Sequence, residues 1–564
     1  MTASHHTFTY HHSSSLLDSP QHHHPSDDLL HLKPQHLSGP VGQDEVEQGS
    51  LSPVTTDSMS TSSCDDWPSS TTTPQQQQQQ LHHASTHLVD NFVITKTAPS
   101  IYLFIFVNPL SGDEKGRELI TLPIQHFRLR RLPEVQVQIH NILDKEDREA
   151  GMAEITRIAS ILDQLPPIPE GKLPHAVSQR HLQVWSAGGD GTVMSVVEML
   201  ASYHIDLDQV FFSCIPFGTG NDFSQVLGWG RTIPHRDILG HGLQHLETLV
   251  MERLLQSEPA RLDIWQVEMT AHASGYVRLA GPDRRDGHDV AEVKPSNHGN
   301  TAHSLTRKMC NYMSIGVQGY VGSGFEKHRA GNRMANVLVY TIESAKWVFW
   351  RRFPPVTHFI ESIVHGNEPV LKAPDPNTRH GHNNNDRDLP EMTNHPIDFV
   401  IQNIPHIWGR EVDLWGEARS GLESVRRRSG PSDPSNWQPQ RANDGRMEIM
   451  VIQNLISYFK KLANIRNHVS RLGQFETPFE IRFRDPKPQQ PSSSWWRRSM
   501  WKRNRYEREN VICIMCDGEF YVLKDPKSLT FSRHAQIWTL GRNDQQGVGR
   551  LVVDELGHNT NSHH

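Results

Sequence analysis

Two short stretches bring acids into glycine turns. Gly188–Thr192 reads GGDGT, and Pro216–Asp222 reads PFGTGND. Each follows an apolar run, Leu182–Ala187 (LQVWSA) and Val210–Ile215 (VFFSCI). Glycine lets a backbone turn tightly and approach a ligand, and N–H groups at a helix start favour an anion. An acid in such a turn repels a phosphate unless a cation lies between them. Asp190 therefore points to a nucleotide phosphate with its Mg²⁺, and Asp222 repeats the arrangement one strand later. A plainer reading stays open: Thr192 caps a helix over Val193–Leu200, and the glycines only start it. An earlier turn, Val107–Gly116 (VNPLSGDEKG), adds Asn108, Ser111 and Gly112 after the apolar run Ile101–Val107. Neither a G-x-x-x-x-G-K-[ST] loop nor a dinucleotide fingerprint occurs here.

A fourth element is CDGE, Cys516–Glu519, after the run Val511–Met515. Of Asp517 and Glu519, one could take a proton from an alcohol while the other helps to hold a metal. Asp-Gly is equally the signature of a tight hairpin turn, and spacing alone favours that reading.

The elements that must position these groups follow from the pattern. Strand-like runs at Ile101–Val107, Val135–Ile139, Leu182–Ala187 and Val210–Ile215 alternate with helical spacing, as over Ala150–Leu165. That order predicts a parallel α/β sheet with its ligand at the strands' carboxyl ends. Beyond it, Arg261–Met269, Asn311–Val317, Ile397–Ile404, Met447–Gln453, Phe479–Phe483 and Val511–Met515 read as strands with few long helices. The expected organisation is a low-complexity, disordered tail over 1–98, an α/β ATP-binding domain over 99–255 and a β-rich domain over 256–556. Polar inserts at about 281–305, 366–396, 419–443 and 486–508 read as surface loops.

Composition narrows the function classes. Of 564 residues 36% are hydrophobic and the formal net charge is −7, so no global basic surface argues for nucleic acid. The tail is rich in His, Ser, Thr and Pro and carries a run from Gln75 to Gln80; its His clusters are read as solvated rather than metal-binding. No apolar run approaches the ~20 residues of a membrane span, and the start of the chain lacks the apolar region of a signal peptide. The expected location is cytoplasmic, with peripheral membrane contact. The five cysteines, Cys64, Cys214, Cys310, Cys513 and Cys516, are scattered and read as free thiols.

The stretches FVNPLSG, AGGDGTV, IPFGTGNDFSQVLGWG, LDIWQVEM, NYMSIGVQG, IQNIPHIWG and DGE, in this order, resemble the catalytic and accessory regions of diacylglycerol kinases. The similarity runs from about Ile101 to Leu540. It implies an α/β nucleotide domain and a β-sandwich with ATP in the cleft between them. By resemblance, Gly188, Gly189, Asp190, Gly191 and Thr192 meet the nucleotide phosphates and metal, and Gly218, Thr219, Gly220, Asn221 and Asp222 line the same cleft. Asp517 is implied as the general base and Glu519 as a metal-side acid. The implied reaction is phosphorylation of the primary hydroxyl of diacylglycerol. A sphingoid-base or ceramide kinase, a non-catalytic lipid-binding scaffold and, more remotely, an NAD kinase remain as alternatives.

Three departures stand out. Gln318 occupies a position where the family usually has Asp, and Ile264 interrupts the usual LDRW. Only Cys64 precedes the catalytic region, too few ligands for zinc-binding C1 domains. No EF-hand loop is found, since Asp283–Val293 misses the ligand spacing. The substrate lies in a membrane, so the chain must dock. Trp495, Trp496 and Trp501 lie in Trp495–Arg508 among six Lys/Arg and one Glu, a candidate docking stretch or else a solvated basic loop.

Overall fold

The computed structural model describes residues 98–542 apart from internal stretches, the longest being 282–302, 375–388 and 487–504. The tail, Cys64, Thr219, Gly220, Trp495, Trp496 and Trp501 lie outside the described residues, as does most of the 281–305 insert.

The first half is built from β1 (Ile101–Val107), β2 (Val135–Asn141), α1 (Lys145–Ala159), β3 (Leu182–Gly188), α2 (Asp190–Ser202), β4 (Val210–Pro216), α3 (Asp222–Val226) and α4 (Gln244–Leu255). The four strands pair in parallel in the order β2–β1–β3–β4. Every residue of β1 is buried, and alternate residues enter different cores: Ile101, Leu103, Ile105 and Val107 one, Tyr102, Phe104 and Phe106 the other. A continuous apolar run is what a parallel strand covered on both faces requires.

The second half opens with β5 (Ser257–Leu279), then β6 (Ser304–Met309), β7 (Tyr312–Gly316), α5 (Val317–Lys327) and α6 (Arg333–Ala345). It continues through β8 (Ile360–His365), β9 (Glu368–Lys372), β10 (Asp398–Gln402), β11 (Arg446–Ile452), α7 (Leu455–Leu462), β12 (Ser470–Glu476) and β13 (Phe479–Phe483). It closes with α8 (Arg505–Glu509), β14 (Val511–Cys516) and β15 (Glu519–Arg542). β14, β7, β10, β11 and β12 are successive antiparallel neighbours. The mixed α/β character with a β-rich second half follows the sequence reading.

β15 is one element that the pattern did not reveal. Its 24 residues pair antiparallel along almost the whole of β5 and add to β4 in parallel at Trp538 and Thr539. Lys, Asp, Pro and Ser in its middle hide it, because the register shifts at Lys524/Pro526 and Pro526/Ser528 absorb them. Bulges of this kind break the two-residue alternation that marks a strand.

Other expectations need correction. α2 begins at Asp190, with Gly189 as its N-cap, so Thr192 lies inside the helix and does not cap it. α1 starts at Lys145, where the Asp144 side chain accepts the Asp147 N–H, and ends at Ala159. α5 was not expected, because Gly319, Gly322 and Gly324 argue against a helix. Two of those glycines allow it to lie on the sheet: a Cβ at Gly319 would stand 2.2 Å from the Cys513 carbonyl oxygen, and one at Gly322 would stand 1.8 Å from the Phe520 ring. The 366–396 insert contains β9, hydrogen-bonded to β8. The 419–443 insert packs rather than loops out: Trp437 faces Trp415 at 4.8 Å, with Arg471 over its ring.

Trp538 fixes the join between β15 and the parallel sheet. It is buried edge-on to Phe211, with Arg180 and Arg261 at 4.5 and 4.2 Å from its ring. Trp538→Ala is expected to cost about 3–5 kcal/mol of unfolding free energy, measured by urea titration. A loss below about 1 kcal/mol would mean that the join contributes little.

Candidate active site

The glycine turns touch one another. Gly188 O accepts hydrogen bonds from Phe217 and Gly218 N–H. A Cβ at Gly218 would come within 2.4 Å of Gly189 Cα, and one at Gly112, whose φ is +57°, within 1.5 Å of Phe217 O. These glycines are thus required for close approach of the three turns, apart from any ligand. The structure brings together Asn108, Ser111, Gly112, Gly188, Gly189, Gly191, Gly218 and Asn221 at the carboxyl ends of β1, β3 and β4. Asn108 Oδ1 accepts from Leu110 N–H. Asn221 is left-handed and donates through Nδ2 to Gly218 O and Arg231 O, while its Oδ1 is buried without a partner among the described residues.

Asp190 has a more specific position than the turn suggested. Its carboxylate accepts the N–H groups of Asp222 (3.0 Å) and Phe223 (2.9 Å), the first two residues of α3, and the Asn311 side chain also bonds to it. Burial pushes its carboxyl upward, and those three donors oppose the shift. One acid thus ties the second turn to the third. Asp222 is itself buried at the start of α3.

Asp517 sits in a two-residue loop between Cys516 and Glu519, which pair across β14 and β15. Its φ is +44° and that of Gly518 +85°, the left-handed pair that a type I′ hairpin demands. The hairpin reading is therefore realised, and the carboxylate has a separate task. It accepts from the N–H groups of Cys310 (2.7 Å), Asn311 (3.1 Å) and Tyr312 (2.9 Å). Burial raises its pKa to about 7, with the N–H groups of Cys310 and Tyr312 opposing and the Asp190 charge adding. Asn311 links the acids, with its backbone on Asp517 and its side chain on Asp190. Asn403 holds this loop from behind, donating to Cys310 O and Asp263 O.

Beside Asp517 a pocket is lined by Gly191, Ser195 and Glu198 of α2, Arg307 and Lys308 of β6, and Glu519 and Tyr521 of β15. Tyr521 donates its hydroxyl hydrogen to Glu519, Arg307 Nε donates to Tyr521 Oη at 2.9 Å, and Arg307 stands 3.8 Å from Glu519. Burial raises the Glu198 carboxyl and Arg307 lowers it. Gln318 is buried at the start of α5 and accepts from the Tyr312 hydroxyl at 3.3 Å, a neutral contact where the family pattern has an acid. The four described cysteines are buried and unbonded to one another. Burial pushes Cys513 to about 12 and Cys516 well above its usual value, as inert thiols require.

Sequence reading missed Asn311, Asn403, Glu198, Arg307 and Tyr521. Asn311 and Asn403 lay within quoted blocks but carry no charge to single them out. Glu198 had a faint signal: Gly191, Ser195 and Glu198 recur at helical spacing on one face of α2.

Residues 102–267 match the family model described as the diacylglycerol kinase catalytic domain, and residues 308–491 the one described as the diacylglycerol kinase accessory domain. The chain is 24% identical over 269 residues to Diacylglycerol kinase 3 of Arabidopsis thaliana, covering 45% of this chain and 50% of that protein. It is 26% identical over 262 residues to Diacylglycerol kinase 4 of the same plant, covering 43% and 48%. With Diacylglycerol kinase theta of Homo sapiens it shares 22% over 378 residues, 65% of this chain and 30% of that one. The chain thus spans about half the length, or less, of these curated relatives.

Asp517 makes folding pH-dependent. Its carboxyl is near 7 when folded and near 3.8 when unfolded, so the folded state holds a proton that the unfolded state releases. Its stabilising contribution is full below about pH 4 and is lost as pH rises through about 7. The difference in unfolding free energy between the parent and Asp517→Asn is expected to move against the parent across that window, measured by urea titration from pH 4 to 8. A pH-independent difference would show that burial does not shift this acid.

Proposed function

This chain belongs to the diacylglycerol kinase family, carrying its catalytic and accessory domains, and from that premise we propose that it phosphorylates the primary hydroxyl of diacylglycerol with ATP. The observation that supports this most is Asp517: a buried carboxyl poised near 7 beside the start of α2, on the wall of a pocket with cationic groups. A base works best with a pKa close to the working pH.

Asp517 accepts the proton of the attacking hydroxyl. The hydroxyl oxygen forms a bond to the γ-phosphorus as the bond to the ADP oxygen breaks, and phosphatidate and ADP result. The turns at Asn108–Gly112, Gly188–Thr192 and Gly218–Asn221 hold the nucleotide, and the orphaned Asn221 Oδ1 suits a hydroxyl donor on it. Among the described residues no three His, Cys, Asp or Glu side chains are gathered into a metal site, so Asp190, Asp222 and Glu519 are the acids that would hold Mg²⁺ only together with phosphate oxygens, neutralising charge in the transfer. Asp190 and Asn311 keep the turn and the base in register, and Arg307 and Lys308 draw anionic groups to the pocket. In this reading residues 99–255 form the nucleotide part and 256–556 the accessory part. Contact with the bilayer is peripheral, and Trp495, Trp496 and Trp501 contribute to it; no helix among the described residues is long and apolar enough to cross a membrane.

Labelled ATP with mixed micelles of diacylglycerol, sphingosine or ceramide tests the acceptor, and labelled phosphatidate from diacylglycerol alone is expected. Asp517→Asn should lower kcat by about 10²–10⁴-fold while Mg·ATP still binds. The parent's kcat/KM should rise with pH to a plateau above about 7, following the raised carboxyl. Normal turnover in Asp517→Asn would remove the base from this assignment. Glu519→Gln should raise the Mg²⁺ concentration needed for half-maximal rate.

A further inference from the structure

The helix α6 shows its apolar side to solvent. Leu338, Ile342 and Phe349 are 60%, 45% and 75% exposed. Their spacing of four and seven residues places them on one stripe of α6 and the π-helical turn Lys346–Trp350 that continues it. The opposite side is the one that packs: Glu343 and Trp347 are buried, and Trp347 stacks on Phe353 at 4.9 Å. α7 is tied to α6 through a Tyr340–Tyr458 hydrogen bond and carries Ile456, 67% exposed.

Charge selects the occupant. Between Glu326 and Arg352 the chain carries Lys327, Arg329, Arg333, Lys346, Arg351 and Arg352 against only Glu326 and Glu343. Glu343 is buried and paired with Lys346 and His328, so it offers no negative charge outward. α7 and the residues after it, 455–466, hold Lys460, Lys461 and Arg466 with no acid. Lys327 and Arg352 are exposed and Lys460 half-buried. This excess of cations stands in a chain whose formal net charge is −7. An exposed apolar stripe in a cation-rich part of the chain, with Lys327 and Arg352 exposed, fits an anionic bilayer, which takes apolar side chains at the acyl boundary and basic ones at its headgroups.

We propose that the outer face of α6, its π-helical continuation and α7 is the surface on which the protein rests on anionic membranes. The proposal rests on the reading of a lipid acceptor, and the architecture relates the two. α5 starts at Val317, five residues beyond Tyr312, whose N–H holds Asp517, and α6 packs on α5. The docking face is thus one helix away from the base. On the packed side of α6, Tyr506 of α8 lies 5.3 Å from Trp347.

The test compares the full chain with Leu338→Ser/Phe349→Ser in co-sedimentation with phosphatidylcholine–phosphatidylserine vesicles free of diacylglycerol and ATP. The bound fraction of the variant should fall at least about five-fold. The parent should bind less to pure phosphatidylcholine and less in high salt. Thermal midpoint and turnover on a short-chain, water-soluble diacylglycerol should match the parent. Equal sedimentation of parent and variant would overturn the proposal. So would a parent dimer that the variant dissociates without a change in vesicle binding, since the stripe would then be an interface between copies. The same holds if the variant binds vesicles normally and binding is lost only when 487–504 is deleted, since that segment would then be the membrane contact. Absence of turnover on every diacylglycerol, with vesicle binding still lost in the variant, would leave the docking surface standing and remove the lipid acceptor.

Discussion

Two carboxylates removed from water set the geometry of this protein's centre. Asp190 takes the first amides of α3, and Asp517 takes three successive amides ahead of and at the start of β7. A carboxylate buried without such donors costs several kcal/mol or gives up its charge. The donors must therefore stay where they are, and each acid fixes the loop that supplies them. Asn311 touches both acids, so displacement of either turn is felt at the other.

The two halves of the chain are bound into this arrangement by β5 and β15. Their antiparallel ribbon runs from Ser257 paired with Arg542, beside the parallel sheet, to Leu279 paired with Tyr521, beside the pocket. Asp517 and Glu519 stand at the start of β15, while Trp538 near its other end lies against Phe211 of β4. Asp517, in the turn that precedes β15, is thus held next to the strand that completes the parallel sheet. The accessory half is consequently part of the site's construction: β6 supplies Arg307 and Lys308, the loop after it the amides for Asp517, and β10 leads into Asn403.

Close packing explains features that look like ligand chemistry from a distance. Gly112 and Gly218 are needed because the turns after β1, β3 and β4 press on one another, and Gly188 because the Thr192 side chain of its own turn stands against it. The same economy of space operates in α5, where glycines admit a helix against β14 and Phe520. A glycine-rich stretch can accordingly be a turn in one place and a helix in another, depending on what lies beside it.

The sequence by itself determined the parallel strands, because runs such as IYLFIFV are apolar at every position and only a sheet covered on both faces uses them. It also located the acids, since a carboxylate among glycines or in Asp-Gly is conspicuous by type. It did not reveal β15, whose bulges mask its alternation, nor α5, whose glycines oppose helix formation until the sheet is in place. The partners of the acids were beyond its reach. Asp190 meets Phe223, and Asp517 meets Cys310, some 207 residues away in the chain, and no local pattern encodes a hydrogen bond closed over that distance. Only the tertiary structure decided that Asp517 is a hairpin residue and a buried acid together, because the turn is set by two adjacent residues and the burial by everything packed around them.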